Sequence, residues 1–463
     1  MSEQTTQNRW IVVIGALIVQ VSLGAVYIWS VFQTPLKAAF PTWTETQVTY
    51  PSQIVLAAFA LAVIIGGRIQ DKLGPRIVGF SGGIILGIGL ILAKFTQNFA
   101  DSPEMALYWL IFSFSILGGL GIGFGYVCPI ATCVKWFPDK RGLITGLAVA
   151  GFGAGAFFFA PLAKALISGG AYEIMTVKLF TLPQIGVFNT FLTLGLIFLV
   201  AVMFGSSLLK NPPAGFKPAG WNPPQPAGGA ATRVDYSPTE MLATPAFWLL
   251  WITYFAGCTA GLQVIMKASP IWQSFSISAV STRPVPEDIF SGIVSKGAMA
   301  VSLIAIFNAV GRIFWGKVSD NIGRKATLIL MFILCGAAML VLNYLRTYPL
   351  YILGIGAVGL CFGGYLALYP AVITDYYGTK NVGINYGLMF TAYGAGGLAG
   401  PYLAAKLMSV TEKVPYLITE KGVQITKEFA LGSYSTAFIV CGIACLVAGA
   451  IILIIQPPKA AKG

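Results

Sequence analysis

The stretch Gly66–Arg76, "GGRIQDKLGPR", returns in altered form at Trp315–Lys325 as "WGKVSDNIGRK". Gly67, Asp71 and Gly74 match Gly316, Asp320 and Gly323, each 249 positions later, and basic residues follow the last glycine of both copies. A second echo, 241 positions apart, links Gly142, Gly146, Leu147, Gly153, Ala154 and Gly155 to Gly383, Gly387, Leu388, Gly394, Ala395 and Gly396. Repetition at a fixed offset marks a chain built twice in the same sense.

Long apolar runs surround both motifs. The 463 residues are 56% hydrophobic and 10% charged, with a mean hydropathy of +0.79. Soluble domains carry about 25% charged residues, so the solvent here is a bilayer. About 20 apolar residues span its core as a helix, which satisfies its own backbone. Twelve such runs are expected, at about 10–36, 46–66, 76–96, 105–132, 141–167, 184–209, 246–270, 296–316, 325–345, 349–373, 380–407 and 433–456. The first is too long for the core of a signal peptide and is expected to stay in the mature chain. The Pro/Gly-rich stretch 210–242 divides six runs from six. The fold expected is an all-α membrane protein with two six-helix bundles, 1–209 and 243–463, related by a pseudo-twofold axis along the membrane normal.

A formal charge of +13 fits this topology better than a nucleic-acid partner. With both termini cytoplasmic, inner segments hold 16 Lys+Arg against 7 Asp+Glu, and outer segments 12 against 9. Positive charge gathers inside, as insertion into an inner (cell) membrane favours. The seven cysteines all fall in expected spans and form no disulfide or thiolate-metal pattern, so no metal or cofactor is expected. Histidine is absent, which removes Ser-His and Cys-His catalysis. The glycine-rich "GGLGIGFG" and "GFGAGAFFFAP" lie inside spans with no preceding strand, so they read as close helix contacts rather than nucleotide loops.

The loops after spans two and eight of twelve resemble the major facilitator superfamily signature Gly-x-x-x-Asp-(Arg/Lys)-x-Gly-x-(Arg/Lys). Within it, "LGAVYIWSVFQTPL" and "FTAYGAGGLAGP" resemble the oxalate/formate antiporter family, related to the monocarboxylate transporters. The resemblance implies that Gly67, Asp71, Lys72, Gly74 and Arg76, with Gly316, Asp320, Gly323 and Arg324, bridge neighbouring helix ends and latch the outward-open state.

Inside the eighth run sits Arg312, with no acid between Asp288 and Asp320. A cation there costs at least a few kcal/mol and usually faces a cavity. Snorkelling toward the membrane surface is the competing reading, since Lys317 lies only five residues on. The repeat argues against it, because 249 positions earlier the same place is filled by Val63. A guanidinium suits a carboxylate through two parallel hydrogen bonds. Asn308 lies one turn earlier on the same face, and the resemblance implies that Arg312 anchors a carboxylate while Asn308 orients it.

Tyr27, Gln53 and Tyr126 in the first half and Tyr365, Tyr369, Phe390 and Tyr393 in the second are candidate walls. Aromatic rings with hydroxyl tips give small acids an apolar surface and a donor. The resemblance implies a second cation, a lysine, in span eleven of oxalate exchangers; here Tyr393 stands in that place. One cation poorly compensates two charges, so a monocarboxylate such as lactate, pyruvate or formate is expected, with oxalate/formate-type exchange as the alternative. Lys267 and Lys296 are fallback cations near the expected outer ends of spans seven and eight. No intramembrane acid carries a proton, which leaves anion exchange, or a proton moving with the substrate, as the coupling. A carrier acting as a monomer is expected. A non-transporting sensor would need an output module and an enzyme a catalytic pair, and a sugar carrier would need several cavity amides and acids.

Overall fold

The computed structural model describes residues 8–174, 177–213, 215–218, 235–407, 409–420 and 423–458. Of the expected linker 210–242, residues 214 and 219–234 lie outside these. Eleven helices among the described residues are long and apolar enough to cross a membrane. The remaining expected span is the 26-residue helix Val382–Leu407. Large apolar side chains point outward along these helices, among them Leu61 at 62%, Val200 at 67% and Ile454 at 69% exposure. Only a hydrocarbon surrounding makes such a surface stable.

Span one is broken. Helix Arg9–Leu23 passes through a 3₁₀ turn, Gly24–Ile28, into helix Trp29–Ala39. The break lies where Gly24 abuts span five so closely that a methyl group there would strike the Phe152 carbonyl. Span two, Glu45–Leu73, opens on a capping box in which the Thr44 hydroxyl accepts from the Gln47 amide and the Gln47 side chain from the Thr44 amide. Span three is Pro75–Ala93, and span four is Pro103–Trp136 with a π segment at Ile111–Leu117. Spans five and six are Arg141–Ser168 and Gly186–Ser207. The second series is Pro245–Ala279, Glu287–Ile322, Arg324–Val341, Tyr348–Tyr377, Val382–Leu407 and Ser435–Ile454.

Spans two, seven and eight run well past their expected ends, because their polar terminal turns remain helical. The motif is therefore not a loop throughout. Gly67 and Asp71 lie in the last turns of span two, and Gly316 and Asp320 in those of span eight. Only the second glycine of each copy leaves the helix. Gly74 (φ +87°, ψ 167°) and Gly323 (φ +89°, ψ 156°) adopt a conformation that side-chain-bearing residues avoid, which turns one span sharply into the next.

The connections opposite the motifs hold the fold's only strands among the described residues. Strands β1 (Gly170–Ile174) and β2 (Val177–Leu182) form a hairpin between spans five and six. Strands β3 (Ser409–Glu420) and β4 (Val423–Ser433) form a longer one between spans eleven and twelve. Each hairpin thus stands six spans from the other, a repeat of structure that no repeat of sequence announced. Val285 adds a short parallel bridge beside Tyr416, and Phe290 stacks on that ring with centroids 3.8 Å apart.

Helix pairing repeats as well. Spans one with five, two with four and three with six pack as seven with eleven, eight with ten and nine with twelve do. The two sets meet through span five on span eight and span two on span eleven. Small residues permit the approach. A methyl group at Gly67 would strike the Gly383 carbonyl, and one at Gly142 the Gly316 carbonyl. At the motif end the two sets are therefore in backbone contact.

Replacing Gly74 or Gly323 by alanine should destabilise the detergent-purified protein by about 1–3 kcal/mol, the usual cost of forcing a side chain into this conformation. Thermal unfolding checks it; unchanged melting temperatures in both variants would show that the turns do not need glycine.

Candidate functional site

Span eight places Arg312 against span five, with no exposure of the residue. Its Nε donates to Asn308 Oδ1 at 3.1 Å, a bond within one helix turn. Its Nη1 donates to the Val149 carbonyl of span five. Nη2 is buried and has no hydrogen-bond partner. Both acceptors are neutral, and no ion pair to Arg312 occurs among the described residues. Gly153 makes room for the guanidinium, since a Cβ there would lie 3.4 Å from the Arg312 Cζ. The side chain points neither to lipid nor to the membrane surface. A desolvated cation with one free donor edge can accept an anion.

The equivalent place in the first half sharpens this. A methyl group at Gly146 would collide with the Arg312 carbonyl, and one at Gly387, 241 positions on, would meet the Val63 carbonyl. The two inter-set contacts are the same packing, made once with arginine and once with valine. The charge is therefore no requirement of the packing.

Aromatic rings from both sets collect near Arg312. Tyr27 and Tyr393 join hydroxyl to hydroxyl at 2.6 Å across the two sets. Phe390 stacks on Tyr393 at 4.6 Å and lies 5.0 Å from Tyr126. Phe59 and Phe152 complete the cluster, each 5.1 Å edge-on from Tyr126. Phe152 adjoins Gly153, which lies against the guanidinium, and the Tyr27 ring meets Phe152 edge-on at 5.4 Å. The structure thus brings together Arg312, Asn308, Tyr27, Tyr126, Phe390 and Tyr393. It does not bring the others. Gln53 is exposed on span two. Tyr365 stacks on Phe332 of span nine at 4.7 Å, and Tyr369 stacks on Tyr254 at 4.1 Å while bonding the Thr253 hydroxyl at 2.7 Å. Their i,i+4 spacing does set them on one face, but that face turns into the second set's own core. Lys296 is exposed, its ammonium 5.9 Å over the Tyr348 ring; Lys267 is half-buried in span seven, which continues twelve residues beyond it.

Sequence reading missed Phe59, Phe152, Tyr386, whose ring lies 5.6 Å from that of Phe390, and the buried Gln20, whose Nε2 donates to the Tyr126 carbonyl at 3.1 Å. Gln20 alone carried a signal, an amide within an apolar run.

At the motif end, Asp71 accepts from the amides of Gly383 (3.0 Å) and Ile384 (2.9 Å), and Asp320 from those of Gly142 and Leu143 (both 2.9 Å). Each carboxylate of one set caps the first turn of a helix of the other, where the helix dipole favours negative charge. Arg324 bridges Asp320 (2.7 Å) and Asp375 (3.0 Å), and Asp375 also takes Arg141 at 2.6 Å. Arg76 instead bonds the Leu209 carbonyl at 3.0 Å, and Lys72 is exposed.

Two interlocked sets of membrane helices, with a cation held dry between them, define a secondary transporter rather than an enzyme. The chain belongs to the Major Facilitator Superfamily, whose family model matches residues 9–285 and 264–463. It is 29% identical over 415 residues to the oxalate:formate antiporter of Oxalobacter formigenes, covering 86% of this chain and 85% of that one. It is 25% identical over 393 residues to apicoplast pyruvate carrier 1 of Toxoplasma gondii, covering 76% and 68%. Its fold matches that of the proton:xylose symporter XylE with a TM-score of 0.64, at 11% identity over 97% of this chain and 96% of that one.

Tyr27→Phe and Tyr393→Phe should each cost about 1 kcal/mol, the net worth of a typical hydrogen bond. The double variant should be no less stable than the weaker single one. Additive losses in thermal unfolding would show that the two hydroxyls do not act as a pair.

Proposed function

We propose that this transporter moves small monocarboxylates, such as lactate, pyruvate or formate, across the cell membrane by alternating access. The observation that carries the reading is the buried, acid-free guanidinium of Arg312 with its vacant donor edge. A carboxylate is the counter-ion whose planar shape matches it. Asn308 and the Val149 carbonyl hold the guanidinium in place, while Tyr27, Tyr126, Phe390 and Tyr393 surround the anion with rings and neutral donors. The segments 1–209 and 243–463 rock about this point, joined by 210–242. Gly67, Asp71, Gly74, Gly316, Asp320, Gly323 and Arg324 latch the motif end, which we place on the cytoplasmic side with both termini.

The family relationship to an oxalate:formate antiporter favours a second reading, dicarboxylate exchange. Tyr393 weighs against it, for a neutral hydroxyl bonded to Tyr27 stands where a second cation would be needed. Coupling falls to a counter-anion or to a proton accompanying the substrate, since the sequence has no histidine and Asn308, not an acid, contacts Arg312.

Uptake of labelled lactate, formate and oxalate into proteoliposomes, with and without internal anion or a pH gradient, tests the proposal. Arg312→Ala should lower uptake by about 30-fold or more, the effect of removing one member of a buried charged pair, while the protein still elutes as a folded species in detergent. Wild-type uptake by that variant would remove the assignment. Tyr393→Lys should shift preference toward oxalate; an unchanged preference would place position 393 away from the cargo.

A further inference from the structure

The twofold relation gives Asn308 a counterpart as well as Arg312. The offset of 249 that sets Val63 at the place of Arg312 sets Phe59 at the place of Asn308. The packing agrees. A methyl group at Gly123 of span four would strike the Phe59 carbonyl, and one at Gly363 of span ten would strike the Asn308 carbonyl. One turn earlier, Gly119 adjoins the Val55 carbonyl and Gly359 the Ile304 carbonyl, again 249 positions apart. The same two places thus hold an amide and a guanidinium in the second set, and a phenyl ring and an isopropyl group in the first. All four side chains belong to buried residues.

Phe59 does not turn into the core of its own set alone. Its ring lies 5.1 Å from Tyr126 of span four and 5.7 Å from Phe152 of span five. It also lies 5.2 Å from Phe390 and 6.4 Å from Tyr393, both on span eleven of the other set. One side chain of span two therefore reaches the rings of both sets that collect near Arg312. With span four in close contact at Gly119 and Gly123, span two cannot shift toward it and carry the ring away. A small organic acid has two unlike ends. Its carboxylate needs donors and a cation, and its carbon chain needs apolar surface of matching size. The two sets supply these separately, at equivalent places.

We propose, resting on the reading of Arg312 as a carboxylate anchor, that Phe59 sets the chain length of the cargo. The head of the acid lies on Arg312 in the second set, and its tail ends against the Phe59 ring in the first. A short acid such as pyruvate fits between the two, and each added methylene runs into the ring. Phe59 is thus a specificity-determining residue, and the departure from twofold symmetry that leaves one cation in the site also orients what binds to it.

Proteoliposome uptake of labelled formate and of straight-chain 2-oxo acids, from pyruvate to 2-oxohexanoate, tests this on the full-length protein. Each acid is measured against pyruvate in the same preparation, so the amount of folded protein cancels. Phe59→Ala should raise uptake of 2-oxohexanoate relative to pyruvate about tenfold or more, the lower range for a methylene group in an apolar pocket. Phe59→Leu should shift the ratio the same way, and the bulkier Phe59→Trp should lower pyruvate relative to formate. These two variants decide the matter where the alanine variant does not fold. Phe362 of span ten is the control, a buried ring 6.4 Å from Tyr393 on the side of the second set. Phe362→Leu should leave the ratios as they are. Unchanged ratios in the Phe59 variants, with pyruvate still carried by the wild type, would overturn the role of Phe59 and leave the anchor at Arg312 standing. So would a shift in Phe362→Leu alone, for the tail would then lie against the second set. Absence of uptake of every acid by the wild type would instead remove the monocarboxylate reading, and the role of Phe59 with it.

Discussion

One guanidinium is kept out of water with only neutral acceptors around it, and the arrangement of the middle of this protein follows from that constraint. A buried arginine left without compensation is costly, and in most folds an acid supplies the balance. Here an amide oxygen and a main-chain carbonyl take two of its donors and leave its charge unneutralised. Under the proposed function, the compensation comes from a molecule that enters and leaves. That is what distinguishes a transport site from a structural ion pair such as Arg324 with Asp320, where the partner is built in.

The rings follow from the same requirement. A hydroxyl donates to a carboxylate without adding a second charge, so Tyr27 and Tyr393 can offer hydrogen bonds while the candidate site keeps a single fixed cation. Their bond to each other at 2.6 Å uses one hydroxyl hydrogen and leaves the acceptor's own hydrogen for another partner. Phe59, Phe152 and Phe390 exclude water around them, which strengthens every electrostatic contact inside.

The spans, the doubled motif and Arg312 were legible from sequence because each rests on a local or repeated signal. Apolar runs set the helices, two offsets set the repeat, and the mismatch of Arg312 with Val63 showed that the packing needs no charge there. Helix ends were not legible, since spans two, seven and eight stay helical through turns that carry polar residues, where apolarity gives no sign. The hairpins opposite the motifs carry no comparable signal, since the apolar runs on either side mask them. Tyr365 and Tyr369 shared a face as their spacing required, yet spacing alone does not say which neighbour that face meets. Gln53, read as a wall from its polar tip, lies exposed. The pairing of Asp375 with Arg141 joins residues 234 positions apart, with no pattern to connect them.

Site and gate share one stripe of helix. Arg312, Gly316 and Asp320 are spaced four apart and so lie along one face of span eight over about 12 Å. That face meets span five in order: the Arg312 carbonyl beside Gly146, Gly316 beside Gly142, and Asp320 on the amides of Gly142 and Leu143. The guanidinium itself holds the Val149 carbonyl on the same helix. Under the proposed function, an anion that draws Arg312 toward itself would compete with that carbonyl and so loosen the first rung of the ladder whose last rung is the Asp320 cap. Span two repeats the ladder against span eleven with Val63, Gly67 and Asp71, but its first rung has no charge to pull on. The two seams are alike in packing and unlike in what can open them. Under the proposed function, the signal from an anion at Arg312 would therefore reach the motif end chiefly along the contact between spans five and eight.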